Sequence, residues 1–119
     1  MVQQATEVRP GDYFYHSWGY DQANIDYLVV VSVSPTGKTA ICKMAKSIYV
    51  GSQSQGSQDM IMPGEAYGEP FRLKVDNGAG GLRLRGPYPY TKWGDKMFGS
   101  FWPTKIGETH YQTNPMFGH

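Results

Sequence analysis

Apolar positions along this chain alternate with polar ones in short runs, a period of two that predicts strands. No stretch of about ten residues or more carries the spacing of a helix face. Arg9-Pro10-Gly11-Asp12 reads as a turn that launches a first strand, Tyr13 to Trp18, where Tyr13 and Tyr15 alternate with Phe14 and His16. Tyr27 to Ser34 is the plainest strand, with four valines in positions 29–33. Pro35-Thr36-Gly37-Lys38 predicts a hairpin turn, because proline presets the first central φ and glycine accepts a positive one. Thr39 to Ala45 returns beside it, giving an antiparallel meander of three strands.

Further along, Phe71, Leu73 and Val75 share one strand face, with Arg72 and Lys74 on the other. Asp76-Asn77-Gly78, extended by Ala79-Gly80, turns the chain into Gly81 to Arg85. Leu82 and Leu84 then point inward and Arg83 and Arg85 outward, so both strands present their cations from one sheet face. The Gly/Ser/Gln tract 51–58 is too polar to offset its ordering entropy and predicts a mobile loop, and residues 1–8 predict a flexible leader. From Gly86 onward, Pro87, Pro89, Pro103 and Pro115 argue against continuous helix or central strand. Rings are dense there, which predicts an irregular aromatic wrap with one short helix around Thr91 to Phe98. The expected fold is mainly β: a single domain over 1–119, built as a small SH3-like antiparallel barrel with an irregular, aromatic-rich C-terminal wrap.

Charge changes this picture only in one respect. Residues 1–70 carry four bases against seven acids, whereas residues 71–119 carry seven bases against three acids. The formal net charge is +1, so the asymmetry points to an anionic partner for the second half and not to a generally basic protein. Cys42 is the only cysteine, which rules out an intrachain disulfide and favours a reducing compartment. Its place in Ile41-Cys42-Lys43-Met44 predicts burial as a small hydrophobe. No signal-peptide pattern and no apolar run of membrane-spanning length is visible, so the expectation is a soluble protein of a bacterial cytoplasm without membrane contact.

Candidate chemistry falls in two places. The segment Trp18 to Tyr27 sets rings, acids and side-chain amides directly ahead of an apolar strand. Asp21 and Asn24 can bond loop amides while Trp18 and Tyr20 cover one end of the barrel. The same segment also reads as a binding rim of Trp18, Tyr20, Asp21, Gln22, Asn24 and Tyr27, with rings stacking on a ligand and polar groups bonding it. The second place is the basic face Arg72, Lys74, Arg83 and Arg85, followed by Tyr88, Tyr90, Lys92 and Trp93. Cations that hold phosphates beside rings that stack on bases make a platform for single-stranded nucleic acid. A solvated sheet face beside core aromatics has the same composition. Catalysis lacks support: Asp21 and Asp26 have no companion nucleophile, and both Gly-Lys-Thr at 37–39 and the Gly-rich stretch at 78–81 lie in strand turns and do not open a helix. His16, His110 and His119 have no metal-ligand spacing, so neither metal nor cofactor is expected.

The pattern Ser17-Trp18-Gly19-Tyr20-Asp21-Gln22-x-Asn24-x-Asp26-Tyr27 ahead of a valine-rich strand resembles a family of small uncharacterised proteins in phages, plasmids and bacterial genomes. Members of that family tend to finish on an aromatic-Gly-His tail, as in Phe117-Gly118-His119. The likeness covers roughly the first 45 residues and the last ten, and Ala23 stands where the family often has threonine. The resemblance implies a mobile-element accessory protein and transfers no catalytic residue. The functional expectation is a non-enzymatic binding protein that contacts nucleic acid through the basic, aromatic face. The alternatives are an inhibitor of a host or defence protein and a small-molecule or nucleotide binder using the Trp18–Tyr27 loop. Exposed strand edges in so small a barrel also favour a homodimer.

Overall fold

A computed structural model describes residues 7–18, 24–52, 58–78, 81–89, 96–105 and 107–113. Among the described residues seven strands run in chain order: β1 (Tyr13–Trp18), β2 (Asn24–Val33), β3 (Thr39–Ser52), β4 (Gln58–Gly78), β5 (Gly81–Pro89), β6 (Lys96–Thr104) and β7 (His110–Thr113). All pairings are antiparallel, in the order β3-β2-β1-β6-β5-β4-β7. A further pairing of β3 with β4 closes the sheet into a ring. No helix occurs among the described residues, so none there is long and apolar enough to cross a membrane.

The meander of β1, β2 and β3 follows the alternation in the sequence. The turn between β2 and β3 closes with Gly37 N–H donating to Ser34 O at 2.9 Å, and Gly37 adopts φ 73°. β3 and β4 are much longer than the expected Thr39–Ala45 and Phe71–Val75. Register shifts between Cys42 and Met44, between Ala45 and Ser47, and between Tyr49 and Gly51 break them into segments. Each irregularity bends the pair, which lets β4 serve β3 along most of its length and β5 at its end.

The ring has one apolar interior and one covered outer patch. Phe14, Leu28, Val30, Cys42, Leu73, Leu84, Tyr88 and Phe101 pack inside. Ile25, Tyr27, Ala45 and Ile61 form a second cluster, with Tyr13 and Tyr15 against it. These residues alternate with the interior set along β1 and β2, so they point outward. The first part of β4 carries Ile61 over them, and β7 pairs beside it through Ile61 and His110.

Several expectations need correction. The C-terminal third is regular where described: β6 closes the ring between β1 and β5, and Pro103 is accommodated opposite Phe14. Lys96 to Phe98 lie in β6 and not in a helix, because their backbone pairs with Pro87 to Pro89 of β5; residues 91–95 lie outside the described residues. Val8 is buried in the interior cluster, so the end of the supposed leader is seated; residues 1–6 lie outside the description. Of the tract 51–58, Gly51 and Ser52 end β3 and Gln58 begins β4, while residues 53–57 lie outside it.

Candidate functional site

Two places carry polar chemistry, and the structure separates their roles. At one end of the ring, Asp26 sits on the inward side of β2, in alternation with Leu28 and Val30. Its Oδ2 accepts from Trp18 Nε1 at 2.6 Å and from the Tyr88 hydroxyl at 2.6 Å. One carboxylate oxygen thereby ties β1, β2 and β5 together. His16, paired with Asp26 across β1 and β2, sits edge-on to Tyr88 with ring centroids 5.9 Å apart, and its Nδ1 lies 3.0 Å from Ser100 O. Phe101 completes the ring cluster, edge-on to Tyr88 at 4.9 Å. The cluster requires Gly99, where a Cβ would meet Tyr88 Cε1 at 2.9 Å and His16 Cδ2 at 3.2 Å. Burial, and then the Asp26 charge, raise the pKa of the nearby Tyr67 phenol.

The expected rim therefore resolves into structure wherever it is described. Trp18 clamps Asp26, Asn24 pairs with Trp18 in the β1–β2 ladder, and Tyr27 is 1% exposed. Tyr27 is corrected from rim to core, because β4 and β7 cover the outer face it points from. Its hydroxyl lies 2.8 Å from His110 Nδ1 and 3.4 Å from Ile61 O. Desolvation, with help from Glu108, raises its pKa, so the phenol stays protonated. Burial lowers the pKa of His110, with Glu108 opposing that effect in part. Tyr20, Asp21 and Gln22 lie outside the described residues.

The second place is the outer face of β4, β5 and β6. Lys74 pairs with Arg85, which pairs with Ser100 on β6. In the next row Asp76 pairs with Arg83, and the Arg83 guanidinium lies over the Trp102 ring, 5.7 Å from its centroid. On the other side of Lys74, Pro87 pairs with Phe98, a ring 65% exposed. The expected common face for Arg72, Lys74, Arg83 and Arg85 is thus formed. An open cleft of ≈ 700 Å³ lies along it, lined by Lys38, Arg72, Lys74 and Arg85, with Asp76 the one acid among the described lining residues and Phe98 at its edge. Lys38, Arg72 and Lys74 are exposed and have no ion pair among the described residues.

Arg83 and Arg85 differ from their neighbours. Asp76 Oδ2 accepts from Arg83 Nη2 at 3.1 Å and from Arg85 Nη1 at 3.3 Å, and the two arginines hold its carboxyl below the usual range. Tyr88 is corrected outright as a stacking ring: it is fully buried, because position 88 shares the inward side of β5 with Leu82 and Leu84. Tyr90, Lys92 and Trp93 lie outside the described residues.

Sequence reasoning missed Lys38, Asp76 and Phe98, and weighed Asp26 only as half of a carboxylate pair with Asp21. An acid at an inward strand position always demands partners, which would have singled out Asp26. The alternation Phe98, Ser100, Trp102 would have placed Phe98 on the basic face. Among the described residues no three His, Cys, Asp or Glu side chains gather into a metal-binding group. No protein-family model, curated protein or solved structure matches this chain.

Proposed function

We propose that this is a non-enzymatic accessory protein of a phage or plasmid that binds single-stranded nucleic acid along the outer face of β4, β5 and β6. The observation that carries the reading is Phe98, a ring 65% exposed at the edge of a cleft lined by Lys38, Arg72, Lys74 and Arg85. A strand needs a cationic track for its phosphates and open ring faces for its bases, and both lie on this surface. Phe98 and Trp102 stand four residues apart on one strand, roughly 13 Å, which leaves room for more than one nucleotide between them. The accessory role is supported by the resemblance of the Trp18–Tyr27 segment to proteins of mobile elements.

Arg72 and Lys74 are the cleanest probes, since neither is committed to an ion pair. Oligothymidine binding followed by fluorescence anisotropy should weaken steeply with salt. Arg72→Ala with Lys74→Ala should weaken binding and flatten the dependence of log K on log salt by about 0.7 per lost contact. Absence of binding at low salt would end this reading.

A second reading has its own support. Ile48, Tyr49 and Val50 on β3 and Tyr111 on β7 are 41%, 62%, 41% and 46% exposed, and Ile48, opposite Met62, shares a sheet face with Tyr111, opposite Met60, an apolar pair suited to a host or defence protein. A lysate partner lost on Ile48→Glu and retained by the Arg72/Lys74 variant would favour it.

A further inference from the structure

Two guanidinium groups converge on Asp76, and the match is poor. A carboxylate suits one arginine when its two oxygens take two parallel N–H bonds. Here Arg83 Nε at 3.2 Å, Arg83 Nη2 at 3.1 Å and Arg85 Nη1 at 3.3 Å all reach the same Oδ2. None of these bonds uses Oδ1. Two positive charges face one negative charge, and the buried Nε of Arg85 has no acceptor. Lys74 stands directly across the ladder from Arg85 and adds a third cation. A phosphoryl group offers more acceptor oxygens than a carboxylate, arranged to serve two forks at once.

We propose that Arg83 and Arg85 form a phosphate site, and that Asp76 is its resident place-holder, displaced when a phosphate arrives. The inference rests on the nucleic-acid reading above and adds which contact is made and what competes for it. Arg83 also covers Trp102 at 5.7 Å, so the site sets its phosphate donors beside a ring on β6. The phosphate is either an internal phosphodiester or a terminal monoester.

The experiment compares the wild type, Asp76→Asn, Arg83→Ala/Arg85→Ala and the triple variant. Each is titrated with 5′-hydroxyl and 5′-phosphorylated oligothymidine over a range of salt. Asp76→Asn should tighten binding by about tenfold at low salt, the scale of one charged hydrogen bond. It should also steepen the salt slope by about 0.7 for each arginine released. In the Arg83→Ala/Arg85→Ala background the same substitution should change neither. A stronger response to the 5′-phosphorylated strand, competed by inorganic phosphate, assigns the site to a chain end; equal responses assign it to internal phosphodiesters. The proposal falls if Asp76→Asn leaves affinity and slope at wild-type values, or if the gain persists without the two arginines. If the wild type does not bind at low salt, the nucleic-acid reading and the displacement of Asp76 fall together; if it binds and Asp76→Asn changes nothing, only the phosphate site falls. Asp76→Ala gives the same readout should the asparagine variant fail to fold.

Discussion

Tyr88→Phe removes one hydroxyl and leaves the ring, so it tests the bond that joins β5 to β2. Tyr88 is fully buried, and its hydroxyl donates to Asp26 Oδ2 at 2.6 Å. A hydrogen bond to a charged acceptor contributes about 1.5–3 kcal/mol. Asp26 keeps its bond from Trp18 Nε1, so no bare charge remains to enlarge the loss. At about 4 °C per kcal/mol for a domain of this size, melting should fall by about 6–12 °C. Asp26→Ala should cost more, about 3–5 kcal/mol, because it takes the acceptor from both donors. Asp26→Asn should lie between, since the amide oxygen can still accept. Urea unfolding followed by tryptophan fluorescence gives all three values. A loss under about 0.5 kcal/mol for Tyr88→Phe, or equal losses for Asp26→Ala and Asp26→Asn, would refute the clamp.

Other consequences are as direct. Gly99→Ala should destabilise by about 1–3 kcal/mol, read by the same unfolding assay, because its methyl would press on Tyr88, His16 and Phe101. Cys42 is fully buried and its thiol pKa is pushed up to about 12, so a thiol reagent should label it only at the rate of unfolding. Burial lowers the pKa of His110 from its ordinary 6.5, so its contribution is complete above that value and is lost as pH falls through the folded value. Protection of β7 amides, taken relative to their intrinsic exchange rate at each pH, should therefore fall between about pH 7 and pH 5, and His110→Gln should remove the change. Equal protection of β7 at both pH values would contradict its coupling to Tyr27.

The meander, both hairpins and the shared face of Arg72, Lys74, Arg83 and Arg85 were legible because each rests on local alternation and turn chemistry. Tyr27 and Tyr88 were misread for a different reason. Alternation puts Tyr27 on the outer face of β2, and nothing local says that β4 and β7 return to cover it. Tyr88 lies between two prolines that suggest a loop, yet Pro87 pairs with Phe98 and Pro89 with Lys96, so β5 continues through them. The fate of Arg83 and Arg85 also depended on placement, because Asp76 reads as a turn residue until the ladder sets it opposite Arg83.

The central claim is that bases stack on Phe98 while phosphates follow Lys38, Arg72 and Lys74. The most direct measurement is the affinity of wild type and Phe98→Ala for an oligothymidine and for an abasic strand of equal length. The account predicts that Phe98→Ala loses about 1–3 kcal/mol on the thymidine strand and close to nothing on the abasic one. Equal losses on both strands, or none on either, would contradict it.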